Sequence, residues 1–161
     1  MISQEVLLKQ AEEVKDSVIF HRRKIHRYAE IGGKEYKTHK YICEFIEKLG
    51  LPYENVTETA ILATLDTGKP GPHIALRADI DALPLKENPD NLCGPRTCIS
   101  EQEGTCHACG HDAHAAMLMG CMEVFCNLKD SLSGVIYFCF EAGEENGASH
   151  LQMLDALERR P

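Results

Sequence analysis

Cys106-His-Ala-Cys109-Gly-His111-Asp112-Ala-His114 places six potential donor side chains within nine residues. A stretch rich in Ala, Met and Leu runs on from about Asp112 to Leu128, so the cluster stands where a loop enters a helix. In an extended or turning segment Cys109 and His111 face the same side, and Gly110 lets the backbone bend sharply between them. A thiolate and an imidazole so placed suit Zn²⁺ or a related divalent ion. Asp112 and His114 are then further ligands, or hydrogen-bond partners that orient the ligands. The competing reading is that some of these histidines only cap or pack a helix start.

Downstream, Val135 to Phe140 is a short apolar run of the buried-strand type, and Glu141-Ala-Gly-Glu144-Glu145 leaves it directly. Carboxylates at the carboxyl end of a strand sit where open α/β sheets place their ligand crevices. Two adjacent glutamates there can diverge, one to a metal and the other to a water that it deprotonates. Upstream, Arg77-Ala-Asp79-Ile-Asp81-Ala-Leu-Pro84 ends another strand, and carboxylates spaced by two point the same way in extended chain. Pairing with Arg77 or capping a turn is the plainer use for them.

The remaining elements are scaffold. Ser3 is placed to cap a helix carrying Val6, Leu7, Ala11, Val14, Val18 and Ile19 at three- and four-residue intervals, continuing to about Tyr28. Thr38 to Leu49 reads as a second helix terminated by Gly50. Strands are expected at Ala60 to Leu65 and His73 to Ala78, with Asp66-Thr-Gly-Lys-Pro-Gly-Pro between them as a hairpin linker. Leu83 to Gly104 is polar and aperiodic, a long loop of the kind that is usually functional or mobile. A last helix spans about Ala148 to Leu157. Helices alternating with apolar strands argue for an α/β layer structure.

The chain has 161 residues, 43% hydrophobic and 26% charged, the composition of a globular domain. No stretch approaches the roughly 20 apolar residues of a membrane helix. The net charge is −8, and it lies beyond Gly50, where 7 basic residues face 17 acidic ones. That balance excludes a nucleic-acid partner, which would need clustered Lys and Arg. Met1 to Gln10 contains Glu5 and no apolar run fit for a signal peptide, so a cytoplasmic location is expected. The eight cysteines then read as reduced thiols or ligands before disulfides.

The three motifs, in this order and spacing, resemble the amidohydrolase branch of the M20 metallopeptidase family, the aminoacylase-like enzymes that include hippurate and auxin-conjugate hydrolases. His107-Ala-Cys-Gly-His-Asp-Ala-His114 is the most specific match. His26-Arg-Tyr-Ala-Glu30 also resembles the family's His-x-x-Pro-Glu, with Ala29 where proline is usual. The resemblance implies residues 1–161 as the N-terminal portion of a layered zinc-peptidase-like catalytic domain, a mixed sheet flanked by helices. It implies that the lid or dimerisation domain and the C-terminal catalytic segment lie outside this stretch. It further implies two divalent ions, zinc or manganese, with Cys109, His111 and Glu145 as ligands, Glu144 as general base and Asp79 supporting a ligand. The implied substrate is a small N-acyl amino acid, and the implied protein partner is a second copy or a complementing C-terminal segment. Glu141-Ala-Gly-Glu-Glu departs from the family's Gln-Pro-Ala-Glu-Glu, and the loop with Cys93 and Cys98 resembles an insertion.

Two other readings compete. Cys93, Cys98, Cys106 and Cys109 could form a structural zinc module tying down the long loop. Cys106-His-Ala-Cys109 before a helix could instead do thiol redox chemistry. A zinc deaminase is disfavoured by the absence of His-x-Glu, and a His-Glu-x-x-His protease by the absence of that motif.

Overall fold

The computed structural model describes residues 2–160. Helix α1 (Gln4–Tyr28) starts where the Ser3 hydroxyl accepts the Val6 N–H, and α2 (Tyr36–Lys48) follows a short turn. Glu30 fastens that turn: its carboxylate accepts the Lys37 and Thr38 N–H groups and the Thr38 hydroxyl. Ala29 ends α1 at φ +36° and donates its N–H to the Ile25 carbonyl. Proline can adopt neither the angle nor the bond, so alanine at this position is consistent with the local backbone.

Four strands form the main sheet: β1 (Tyr53–Asn55), β2 (Ile61–Asp66), β3 (His73–Asp79) and, after two minor strands, β6 (Val135–Glu141). The minor pair, β4 (Asp90–Asn91) and β5 (Gly94–Pro95), is a tight hairpin within the long loop. Helix α3 (His111–Asn127) precedes β6, and α4 (His150–Glu158) follows it. No helix is long and apolar enough to cross a membrane among the described residues.

The sheet order is β1-β2-β6-β3, which corrects the expected hairpin. β6 enters between β2 and β3, antiparallel to the first and parallel to the second. The cause is burial. Six of the seven β6 residues are buried, so this strand needs neighbours on both edges and cover on both faces. Phe138 meets Phe125 of α3, while Tyr137, facing the other way, lies beneath Arg160. β3 is exposed over much of its length and takes the sheet edge.

The linker between β2 and β3 therefore crosses the start of β6, and backbone bonds pin it there. Thr67 N–H reaches the Gly134 carbonyl at 3.2 Å, and Gly134 N–H reaches that of Lys69 at 2.9 Å. Gly134 has φ +84°, and a Cβ would fall 2.0 Å from the Pro72 carbonyl oxygen. Gly134→Ala is expected to destabilise the chain by about 2–3 kcal/mol, measurable by urea unfolding. A change below about 0.5 kcal/mol would show that the crossover tolerates a side chain.

Candidate metal centre

The parallel pairing of β3 with β6 sets Asp79 opposite Glu141, so the carboxyl ends of both strands open at the same end of the sheet. Helix α3 begins at the same place. Gly110 caps it at φ +84°, the bend expected between Cys109 and His111. Three segments distant in sequence thus meet around the His111 imidazole.

His111 is buried, and its two nitrogens face different surroundings. Nδ1 lies 2.9 Å from Asp81 Oδ1 and 3.1 Å from the Asp81 carbonyl. Nε2 points into a gap, 3.9 Å from Glu144 Oε2 and 4.0 Å from Asp79 Oδ2. The Asp81 hydrogen bond holds the pKa of His111 above its ordinary value despite burial. Burial pushes the Asp81 carboxyl upward, but the bonds from His111 and from the Glu145 N–H outweigh it and leave it below the usual carboxylate range. Asp81 Oδ2 accepts that Glu145 N–H at 3.0 Å, so one buried carboxylate orients both the histidine and the glutamate loop.

Donor atoms of His111, Glu144 and Glu145 lie within 4.8 Å of one another, as do those of Asp79, His111 and His114. Cys109 is exposed and belongs to neither group, and the nearby Glu145 carboxylate pushes its pKa up. Both donor groups offer nitrogen and oxygen atoms of the kind zinc and manganese take, so the residues present fit a divalent ion. Asp79 lies on the Nε2 side of His111. The hydrogen bond to Nδ1 belongs to Asp81, which the sequence offered only as one of a pair. Arg77 donates to Asp79 at 2.6 and 2.9 Å and lies 2.8 Å from Glu141, as the plainer reading of that motif anticipated.

The structure does not support the four-cysteine module. Cys93 is exposed beside the minor hairpin, whereas Cys98 is buried and donates to the Arg23 carbonyl. No group of three metal-capable side chains among the described residues contains a cysteine. Thiol redox chemistry fares no better, because burial raises the Cys106 pKa and Glu145 raises that of Cys109, the opposite of an activated thiol.

Sequence reading missed Glu35, which is fully buried and accepts the Thr59 hydroxyl at 2.8 Å and the Gly143 N–H at 2.7 Å. That bond fixes the residue before Glu144. It also missed how Asp112 is used: not toward the gap, but toward His26 at 2.8 Å and Arg22 at 2.7 Å. His107 is buried with neither ring nitrogen partnered, and burial lowers its pKa to about 4, which keeps it neutral.

Residues 75–161 match the model of peptidase family M20/M25/M40. The chain belongs to that family. Among M20 relatives, Thermostable carboxypeptidase 1 of Saccharolobus solfataricus is 42% identical over 145 residues, 89% of this chain and 36% of its own length. An N-acyl-L-amino acid amidohydrolase of Geobacillus stearothermophilus is 37% identical, again over 89% of this chain and 38% of its own. A dinuclear metal-binding M20 peptidase from Bacillus subtilis superposes with a TM-score of 0.81 at 33% identity, covering 91% of this chain and 40% of that one. The chain therefore spans little more than a third of the length of these relatives. The α/β fold expected from the motifs is the M20 fold.

Asp81→Asn keeps the shape but weakens the acceptor that orients His111. Zinc affinity of the chain is expected to fall about 10–100-fold, read by competition with a chromophoric chelator. An unchanged affinity would show that His111 needs no such support.

Proposed function

We propose that this chain is the N-terminal part of the catalytic domain of a metal-dependent amidohydrolase, cleaving the amide bond of N-acyl amino acids or small peptide-like substrates. The observation that carries the reading is the convergence of Glu144 and Glu145 with His111 Nε2 at the carboxyl end of β6. His111, Glu145 and Cys109 would hold one of two divalent ions, zinc or manganese, and further donors come from outside residues 1–161. Ions so held polarise the scissile carbonyl and acidify water.

The other work falls to the chain's own residues. Glu144, exposed at the gap, takes the proton of the attacking water on a carboxylate oxygen and delivers it to the leaving amine nitrogen. Asp81 holds His111 and the Glu145 backbone in register, and Glu35 holds Gly143. A cytoplasmic location fits free cysteines throughout. The protein partner is a complementing segment or a second copy at the outer edge of β3, where Ile74 is exposed beside a groove of about 620 Å³ lined by Pro72, Leu76, Phe125 and Leu132.

The test measures bound metal and amino acid released from N-acyl amino acids, for the chain alone and for the chain mixed with a polypeptide supplying the downstream region. Metal binding by the chain and hydrolysis by the mixture are expected. A chain that binds no divalent ion, or a metal-loaded mixture that releases no amino acid, would overturn the reading.

A further inference from the structure

The two donor groups around His111 share one atom. Nδ1 is committed to Asp81, so Nε2 is the nitrogen offered both to Glu144 and Glu145 and to Asp79 and His114. We propose that Asp79, His111 and His114 form a second divalent-cation site that competes for His111 Nε2 with the site of His111, Glu145 and Cys109, so that this chain holds one ion at a time.

The second group is arranged to bind. His111 and His114 lie three residues apart on the first turn of α3 with their rings stacked, centroids 5.5 Å apart and planes 22° apart. Asp79 Oδ2 faces both, 3.5 Å from His114 Nδ1 and 4.0 Å from His111 Nε2. A tetrahedral ion with bonds of ~2.1 Å spaces its donors ~3.4 Å apart, so small side-chain adjustments close the site. Arg77 engages Asp79 through Oδ1 and leaves Oδ2 free. Its charge is also shared with Glu141, so Arg77, Asp79 and Glu141 together carry −1.

The nitrogen that the two sites share is available to an ion. His111 is 6% exposed, and its Nε2 makes no hydrogen bond among the described residues and points between two carboxylates just beyond bonding distance. An ion drawn toward Asp79 and His114 takes Nε2 away from Glu144 and Glu145. The second position thus stores the ion away from the general base, an inference that rests on the function proposed for Glu144.

Zinc stoichiometry and the visible spectrum of Co²⁺ test this on the whole chain, with circular dichroism confirming the fold of each variant. Wild type and H114Q are each expected to bind one ion. The E144Q/E145Q variant is expected to bind one ion as well, with a shifted Co²⁺ spectrum. Adding H114Q or, separately, D79N to that double variant is expected to weaken binding at least about tenfold. Two ions per wild-type chain would overturn the exclusion. A double variant that binds none, or that is indifferent to both added substitutions, would overturn the second site. Each readout is independent of hydrolysis, so one ion per chain without catalysis by the completed enzyme would sink the function proposed above and leave this inference standing.

Discussion

Glu144→Gln is expected to reduce hydrolysis by the completed enzyme by about 10²–10⁴-fold while metal content stays near that of the wild type. The amide has the size of the carboxylate and keeps an oxygen toward the gap, but it cannot take a proton from water near neutral pH. Glu144 is exposed and its side chain makes no hydrogen bond among the described residues, so the fold should not notice the change. The loss belongs in kcat, because a proton transfer made only on the way to the transition state does not tighten substrate binding. Steady-state kinetics with bound metal measured on the same samples decides the matter. If metal is lost in parallel with activity, Glu144 is a ligand and the base must be sought elsewhere. If activity is unchanged, Glu144 has neither role.

Helix spacing is local: Ile42 and Ile46 are buried where the periodicity of α2 puts them, whereas of the α1 stripe Val14 is buried and Val6, Leu7 and Ile19 are exposed, because only the later turns of that helix meet the core. Strand order is not local. The turn chemistry of Asp66 to Pro72 is compatible with a hairpin or a crossover, and the choice was made by β6, some 60 residues on, which needs two neighbours. The chemistry of the site was legible because Cys109, His111, Glu144 and Glu145 stand in short clusters. The residues that aim them were less so. Glu35 reaches Gly143 across 108 positions and Asp81 reaches Glu145 across 64, and no spacing rule links such pairs. His26 entered only through family resemblance, and its buried bond to Asp112 explains why a histidine sits near the end of α1.

Asp112→Ala is expected to cost about 3–5 kcal/mol of stability, a fall in Tm of roughly 10 °C for a chain of this length. Arg22, Asp112, His26 and Glu87 form one line from α1 to the long loop, with contacts of 2.7, 2.8 and 2.9 Å. Both ring nitrogens of His26 face carboxylates, so the doubly protonated imidazolium satisfies both, and the bond to Asp112 holds the His26 pKa above 6.5 against burial. The line is then neutral as a whole: two cations and two anions alternate. Alanine at 112 leaves buried His26 beside the Arg22 charge, and water has little room to compensate. The stabilisation has a pH window. His26, with its folded pKa raised, contributes fully below its unfolded value of 6.5 and loses that contribution as pH rises through the folded pKa. Asp112 and Glu87 resist burial through their bonded partners and are held below 3.8 and 4.5, so each contributes above that value and loses it as pH falls through its folded pKa. Urea unfolding of wild type and variant across pH should therefore give a stability difference that peaks in the mildly acidic range and narrows toward both extremes. A difference that stays flat from acid to alkaline pH would mean that Asp112 contributes packing rather than charge.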